Sequence, residues 1–307
     1  MIQNSFLYSL MYITMSITGG DLPAAKHDKT ECAPGISLDS DTCAREMVPT
    51  YRDFLKKKDV LYKPNMSNKE MLTRLKKLLN VETESGILSH PEFQNTIGSA
   101  PAKRVLNFRF KPEGPWNSTA LLDNFNIDNL LAQFVNDHYR KATGRKFYHI
   151  PFQMIDFDQV RSELSRISIP AIIGAGFDSF GVVLNTDVST GRGKHLFCVF
   201  GDLKHSGTEN DPYIIEYFNS SGNPPRSSVR TWMEKTCRDI MLTLGKHADT
   251  HTAAPKQIQT SKTECGVWSV MYIKSRLEGH PPDWFYKNKT TDDDIEAFRR
   301  YLFRHEN

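Results

Sequence analysis

The sequence predicts an α+β fold. Three observations carry that expectation: amphipathic helical periodicity fills the chain from Thr42 to about Leu79, four short β-rich runs cluster between Phe147 and Phe218, and helical periodicity returns from Val229 to Phe303. A chain of 307 residues with 39% apolar content can bury a substantial core, enough for one main domain and a smaller appendage.

In order along the chain, the run from Phe6 to Thr18 is apolar but has no basic start and is too short for a spanning helix, so residues 1–20 read as an unassigned extension. Between Thr42 and Leu79, Ser67 with Glu70 forms a capping box ahead of Met71, Leu72, Leu75, Leu78 and Leu79 at helical spacing. The lysines there, Lys56 to Lys58 and Lys76 with Lys77, read as the solvated face of amphipathic helices. Residues 81–118 are rich in Pro, Gly, Ser and Asn and read as a linker. The expected division is therefore 1–20 unassigned, 21–100 a helical arm and 101–307 the main domain.

Beyond the linker, Asp128 is a candidate N-cap for a helix through Leu130, Leu131, Phe134 and Val135. FYHIPFQMI, FGVVLN, HLFCVF and YIIEYF have strand character. Helices follow at Val229–Leu244, Gly266–Leu277 and Asp292–Phe303, the last led by acidic residues and closed by arginines as the macrodipole favours.

Charge excludes little: 39 basic against 36 acidic residues give a net +3, too even to announce nucleic acid or an anionic membrane as partner. The five cysteines are widely spaced, odd in number and without a CxxC pair, which argues against zinc and suggests a reduced compartment. Sequons at Asn117, Asn219 and Asn288 have meaning only for a secreted chain.

Thr263-Glu264-Cys265-Gly266 stands directly before an apolar helix, which puts the Cys265 thiol at a helix N-terminus, where free N–H groups favour a thiolate. A cysteine nucleophile needs an imidazole and a third group that orients it. His195 opens the run HLFCVF and Asn219 closes YIIEYF, so neighbouring strands would bring both to one sheet end. Gln259, six residues before Cys265, is a candidate oxyanion donor. Taken singly, each has an ordinary explanation as a core histidine, a turn asparagine or a surface amide. In the order His, Asn, Gln, Cys they form a catalytic pattern.

That pattern resembles the ubiquitin-like-protein proteases and adenovirus protease, and more closely the polyprotein protease of African swine fever virus and related large DNA viruses. The closer resemblance is carried by NSTALLDNFNID, GVVLNTDVSTGRGKH, IEYFNSSGNPP, QTSKTECG and DDDIEAFRRYLFR. It implies a SUMO-protease-like core, a central mixed sheet flanked by helices, with a small N-terminal helical arm. It also implies a viral thiol endopeptidase that cleaves structural polyproteins after Gly-Gly during virion maturation, in the host cytoplasm at virus factories and in the virion. Catalysis would rest on His195, Asn219 and Cys265, with Gln259 in the oxyanion hole and neither cofactor nor metal. The wider clan usually has Trp after the histidine, where this chain has Leu196; Leu196 and Trp268 are thus candidate substrate contacts. Gly19-Gly20 offers a site for self-trimming. Other readings are removal of ubiquitin-like modifiers with the same four residues, acetyl transfer through Cys265, and a non-enzymatic scaffold; membrane and nucleic acid are not expected partners.

Overall fold

The computed structural model describes residues 31–36, 41–116 and 120–304. The extension 1–20, Gly19-Gly20 and the Asn117 sequon lie outside them.

A helical unit comes first: α1 (Val48–Lys58), α2 (Asn68–Leu79), α3 (Glu84–Ser89), α4 (Pro91–Ile97) and α5 (Ser99–Arg109). Ser67 caps α2 as expected, accepting from the Glu70 N–H, while the Glu70 carboxylate pairs with Arg74. Met71, Leu72, Leu75 and Leu79 are buried and Leu78 is exposed. Buried Glu84 ties the unit together: its carboxylate accepts from the Thr42 hydroxyl at 2.5 Å, the Cys43 N–H at 2.8 Å and the Tyr51 hydroxyl at 3.3 Å.

Two expectations fail here. Most of the stretch expected to be a linker is helical: three helices occupy 84–109, and one apolar cluster runs from Cys32 to Phe110. The prolines and glycines that suggested a loop sit at helix ends. Pro91 is in the first turn of α4, where a missing N–H costs nothing, and Gly98 (φ +88°) links α4 to α5. The cysteines are also not all free, because Cys32 and Cys43, both buried with Cα atoms 5.2 Å apart, form a disulfide.

The rest is α+β. After α6 (Asn124–Gln133) and α7 (Asp137–Thr143) come β1 (Phe147–His149), β2 (Gln153–Met154), α8 (Glu163–Arg166), α9 (Ile169–Gly174), β3 (Ser179–Asn185), β4 (Leu196–Asp202) and β5 (Tyr213–Phe218). Then follow α10 (Ser227–Leu244), β6 (Ala248–Thr252), α11 (Cys265–Leu277), α12 (Trp284–Lys287) and α13 (Asp292–Leu302). Asp123, not Asp128, caps α6, in a box with Asn126. Asp128 lies inside the helix and reaches outward, bonding His149 Nε2 at 3.0 Å and the Phe152 N–H at 2.8 Å.

The strands form a mixed sheet in the order β1-β3-β4-β5-β6, with β2 also pairing along β3. β3, β4 and β5 run antiparallel in sequence, and the outer pairings are parallel. Alternation splits the core cleanly. On β4, Leu196, Cys198 and Phe200 join the cluster that packs α6, α11 and α13, while Phe197 and Val199 join the one that packs α9 and α10. β6 escaped the sequence reading because ADTHT is a mostly exposed edge strand with no apolar face.

α11 is buried along its whole length. Near its C-terminus Arg276 donates to both oxygens of Glu216 at 2.8 Å and to Asp202 at 2.9 Å, and Tyr272 donates to Glu216 at 2.7 Å. Glu216 is 0% exposed, so removing its cation leaves a dry carboxylate unpaired. Arg276→Ala is expected to cost about 3–5 kcal/mol of unfolding free energy, read from the denaturant midpoint.

Candidate active site

Cys265 is the first residue of α11 and is 2% exposed. No side chain caps this helix, so its first-turn N–H groups stay available. The Gly266 N–H and the Leu196 N–H at the start of β4 both face the sulfur and favour its charged form, but burial outweighs them and pushes the thiol up from its ordinary value. The helix-terminus effect read from sequence is present and is overridden by desolvation. A thiol in that state is neutral and needs a base to attack. Glycine after Cys265 suits the packing: a Cβ on Gly266 would meet Leu122 Cβ and Leu196 Cδ1 at 3.1 Å each, closer than ordinary contact.

His195 precedes β4 and Asn219 follows β5, at the same end of the antiparallel pair. Asn219 Oδ1 lies 2.7 Å from His195 Nε2. The orientation of that amide is decided by its neighbours. The Ser221 main-chain N–H, which can only donate, points at Oδ1 at 3.0 Å, and the Ser221 hydroxyl donates to it at 2.8 Å. Nδ2 donates to the Tyr217 hydroxyl at 2.9 Å. Nε2 of His195 must therefore carry hydrogen, leaving Nδ1 as the basic nitrogen of the neutral ring. The backbone holds the ring's strand as well, since the Thr186 N–H donates to the His195 carbonyl at 2.8 Å.

Gln259 is 5% exposed. Its Oε1 accepts from the Ser220 hydroxyl at 2.6 Å and its Nε2 donates to the Ser261 carbonyl at 2.8 Å. The second Nε2 hydrogen is not used by that bond. The main-chain N–H groups of Ile258 and Gln259 both donate to the Ser220 carbonyl, so this segment is clamped beside Asn219.

His195, Leu196 and Cys265 line one cavity of about 430 Å³, together with Leu121, Leu122, Phe152, Met154, Asn185, Arg192 and Lys194. Gln259 and Trp268 are not among its walls. Trp268 as a substrate contact is therefore corrected: it is 0% exposed, packed edge-on to Phe285 and donating to Asp292 at 3.0 Å. Residues that sequence reasoning missed are Ser221 and Tyr217, which fix the Asn219 amide, and Leu122, which closes on Gly266. Only Tyr217 carried a signal, two residues before Asn219 on the same strand face. No group of metal-ligating side chains occurs among the described residues, and no described helix is long and apolar enough to cross a membrane.

No family model matches the chain. A SUMO-1 cysteine protease of African swine fever virus is 31% identical over 292 residues, covering 90% of this chain and 95% of that protein. A thiol protease of Acanthamoeba polyphaga mimivirus is 24% identical over 228 residues, 71% of this chain and 68% of its own. The crystal structure of the African swine fever virus protease superposes with a TM-score of 0.69 at 28% identity, covering 90% of this chain and 96% of that one. Fold and relatives together define a cysteine protease. The chain belongs to the family of the African swine fever virus cysteine protease.

Gly222 turns the chain just past Asn219 and Ser221 with φ +72°, and a Cβ there would stand 2.3 Å from the Gln257 nitrogen and 2.5 Å from the Lys256 carbonyl carbon. Backbone cannot yield as a side-chain tip can. Gly222→Ala is expected to destabilise the protein by about 1–3 kcal/mol and to loosen the clamp at Ser220, measured by thermal unfolding alongside catalytic turnover.

Proposed function

We propose that this chain is a viral endopeptidase that cleaves structural polyproteins after Gly-Gly pairs during virion maturation, with Cys265 as nucleophile, His195 as base and Asn219 as the group that orients it. The observation that carries the reading is the His195–Asn219 bond, with its tautomer set by Ser221, at the rim of the cavity into which Cys265 opens. His195 Nδ1 takes the thiol proton, the thiolate attacks the carbonyl of the second glycine, and the imidazolium returns the proton to the leaving amine. Water then hydrolyses the thioester. The oxyanion would lie by the N–H of Cys265, with the spare Gln259 hydrogen as second donor.

Substrate preference follows from wall chemistry. Leu122, Leu196 and Gly266 approach closely beside the sulfur, and a tight channel selects residues without a Cβ. Leu196 stands where the wider clan carries Trp, and we assign it a place along that channel. The helical unit, which we extend to about residue 110 on the apolar cluster ending at Phe110, is the arm, and the chain after it is the catalytic core. The site of action is the host cytoplasm and the particle. Removal of a ubiquitin-like modifier is the second reading, favoured by the SUMO-1 designation of the African swine fever virus relative.

Peptides containing Gly-Gly followed by a varied residue, beside a SUMO conjugate, separate the two. Cys265-dependent cleavage after Gly-Gly with the conjugate intact supports the polyprotein reading, and cleavage of the conjugate alone overturns it. Cys265→Ala and His195→Ala are expected to fold with kcat/KM lower by on the order of 10⁵-fold or more, and Asn219→Ala to lose only about 10²- to 10⁴-fold. An Asn219→Ala loss equal to that of Cys265→Ala would refute its orienting role.

A further inference from the structure

The residue immediately before the nucleophile is a carboxylate. Glu264 is 3% exposed, and a negative charge one residue from a thiol opposes the ionisation that attack requires. Arg299 of α13, 1% exposed, closes on it as a fork: Nη2 lies 2.9 and 3.0 Å from the two oxygens, and Nε lies 3.1 Å from Oε2. Its other nitrogen, Nη1, donates to the Ala120 carbonyl at 2.8 Å, next to Leu121 and Leu122 of the cavity wall. One side chain thus joins the C-terminal helix, the turn into α11 and the cleft wall. A buried ion pair adds little net stability over apolar packing, so its place beside the nucleophile points to charge control.

We propose that Arg299 is a positioning residue for Cys265: held on the Glu264 carboxylate, it cancels the negative charge beside the nucleophile and fixes the first turn of α11 against the Ala120–Leu122 wall. The proposal rests on Cys265 being the nucleophile. The other charged or titratable groups around the sulfur are His195 before β4, Asp123 before α6, Arg192 and Lys194 on the loop from β3 to β4, and Asp292 at the start of α13. Asp123 is exposed and engaged by the Asn126 N–H, Lys194 pairs with Asp187, and Asp292 accepts from Trp268, Thr260 and Ser261. Glu264 is the buried carboxylate adjoining Cys265 in sequence, and its charge pushes the thiol in the same direction as burial does.

The test is the pH dependence of Cys265 alkylation by iodoacetamide, located by peptide mass mapping, in wild type, Arg299→Gln, Glu264→Gln and the double variant, each checked for folding by circular dichroism. Arg299→Gln is expected to move the alkylation midpoint up by about one unit, lowering the neutral-pH rate about tenfold, and to lower kcat more than it raises KM. The double variant, with neither charge, recovers most of that reactivity, which a purely structural role would not produce. Arg299→Lys keeps the charge without the fork and restores the midpoint. Should Arg299→Gln not fold, Glu264→Gln carries the test, its midpoint moving down. An unchanged midpoint in folded Arg299→Gln or in Glu264→Gln, or a double variant no more reactive than Arg299→Gln, overturns the proposal. Alkylation needs no substrate, so a failure to cleave Gly-Gly peptides bears on the functional reading alone, whereas cleavage by Cys265→Ala would remove the nucleophile on which both rest.

Discussion

The site depends on one close approach, the first turn of α11 against the start of β4. A Cβ on Gly266 would fit only if Leu122 and Leu196 gave way by a few tenths of an ångström, and that proximity lets the Leu196 N–H reach the Cys265 sulfur. The residue before Leu196 is His195, so the chain that brings the Leu196 N–H to the sulfur also carries His195 into the same cavity as Cys265. At the far end of the same helix Arg276 binds Glu216 on β5 and Asp202 on β4. α11 is thereby fixed to the sheet at both ends, by packing at one and by charge at the other. Apolar packing tolerates small slips along the helix axis, whereas a guanidinium shared between two buried carboxylates admits one register.

That arrangement places two demands in conflict. Burial keeps bulk water away from the resting Cys265 sulfur, yet it also disfavours the thiolate. The N–H groups of Gly266 and Leu196 offset part of that cost, and on the proposed mechanism the His195 imidazole, with its tautomer defined, takes the proton. Asn219 contributes no charge, so it orients the ring without the electrostatic pull a carboxylate would add. Its own orientation is set by Ser221, whose backbone N–H cannot play any role but donor.

Legibility from sequence followed the strength of apolar signals. β4 is a continuous apolar run, buried at every position, and reads as a strand; β6, an exposed polar edge, has no apolar run to read. Proline and glycine misled between residues 81 and 118 because their meaning depends on position: Pro91 starts α4, and Gly98 ends α4 while α5 begins at the next residue. Asp128 looked like a cap because it precedes an apolar run, but Asp123 had the better geometry and Asp128 was free to bind the backbone at Phe152. The placement of His195, Asn219 and Cys265 was legible because strand ends and a helix start are local features. Trp268 was ambiguous because helical spacing gives the face of a helix and not what covers it. The partnership of Cys32 with Cys43 was invisible, since nothing in an odd cysteine count says which thiols fold into reach.

The cleft's other wall is built from the same sheet end that carries His195. Asn185, the last residue of β3, accepts through Oδ1 from the N–H groups of Asp187 and Lys194, closing the loop that leads into His195. Gly193 lies over the Asn185 amide with φ +89°, where a Cβ would stand 2.7 Å from Nδ2. Asp156 binds the Ser189 N–H and hydroxyl from the β2 side. Arg192 is therefore presented to the cavity by a loop whose two ends are fixed. The cavity loop and His195 are then referenced to one set of strand ends, so a change at Asn185 that moves the loop also moves His195; on the proposed mechanism such a change would alter specificity and rate together.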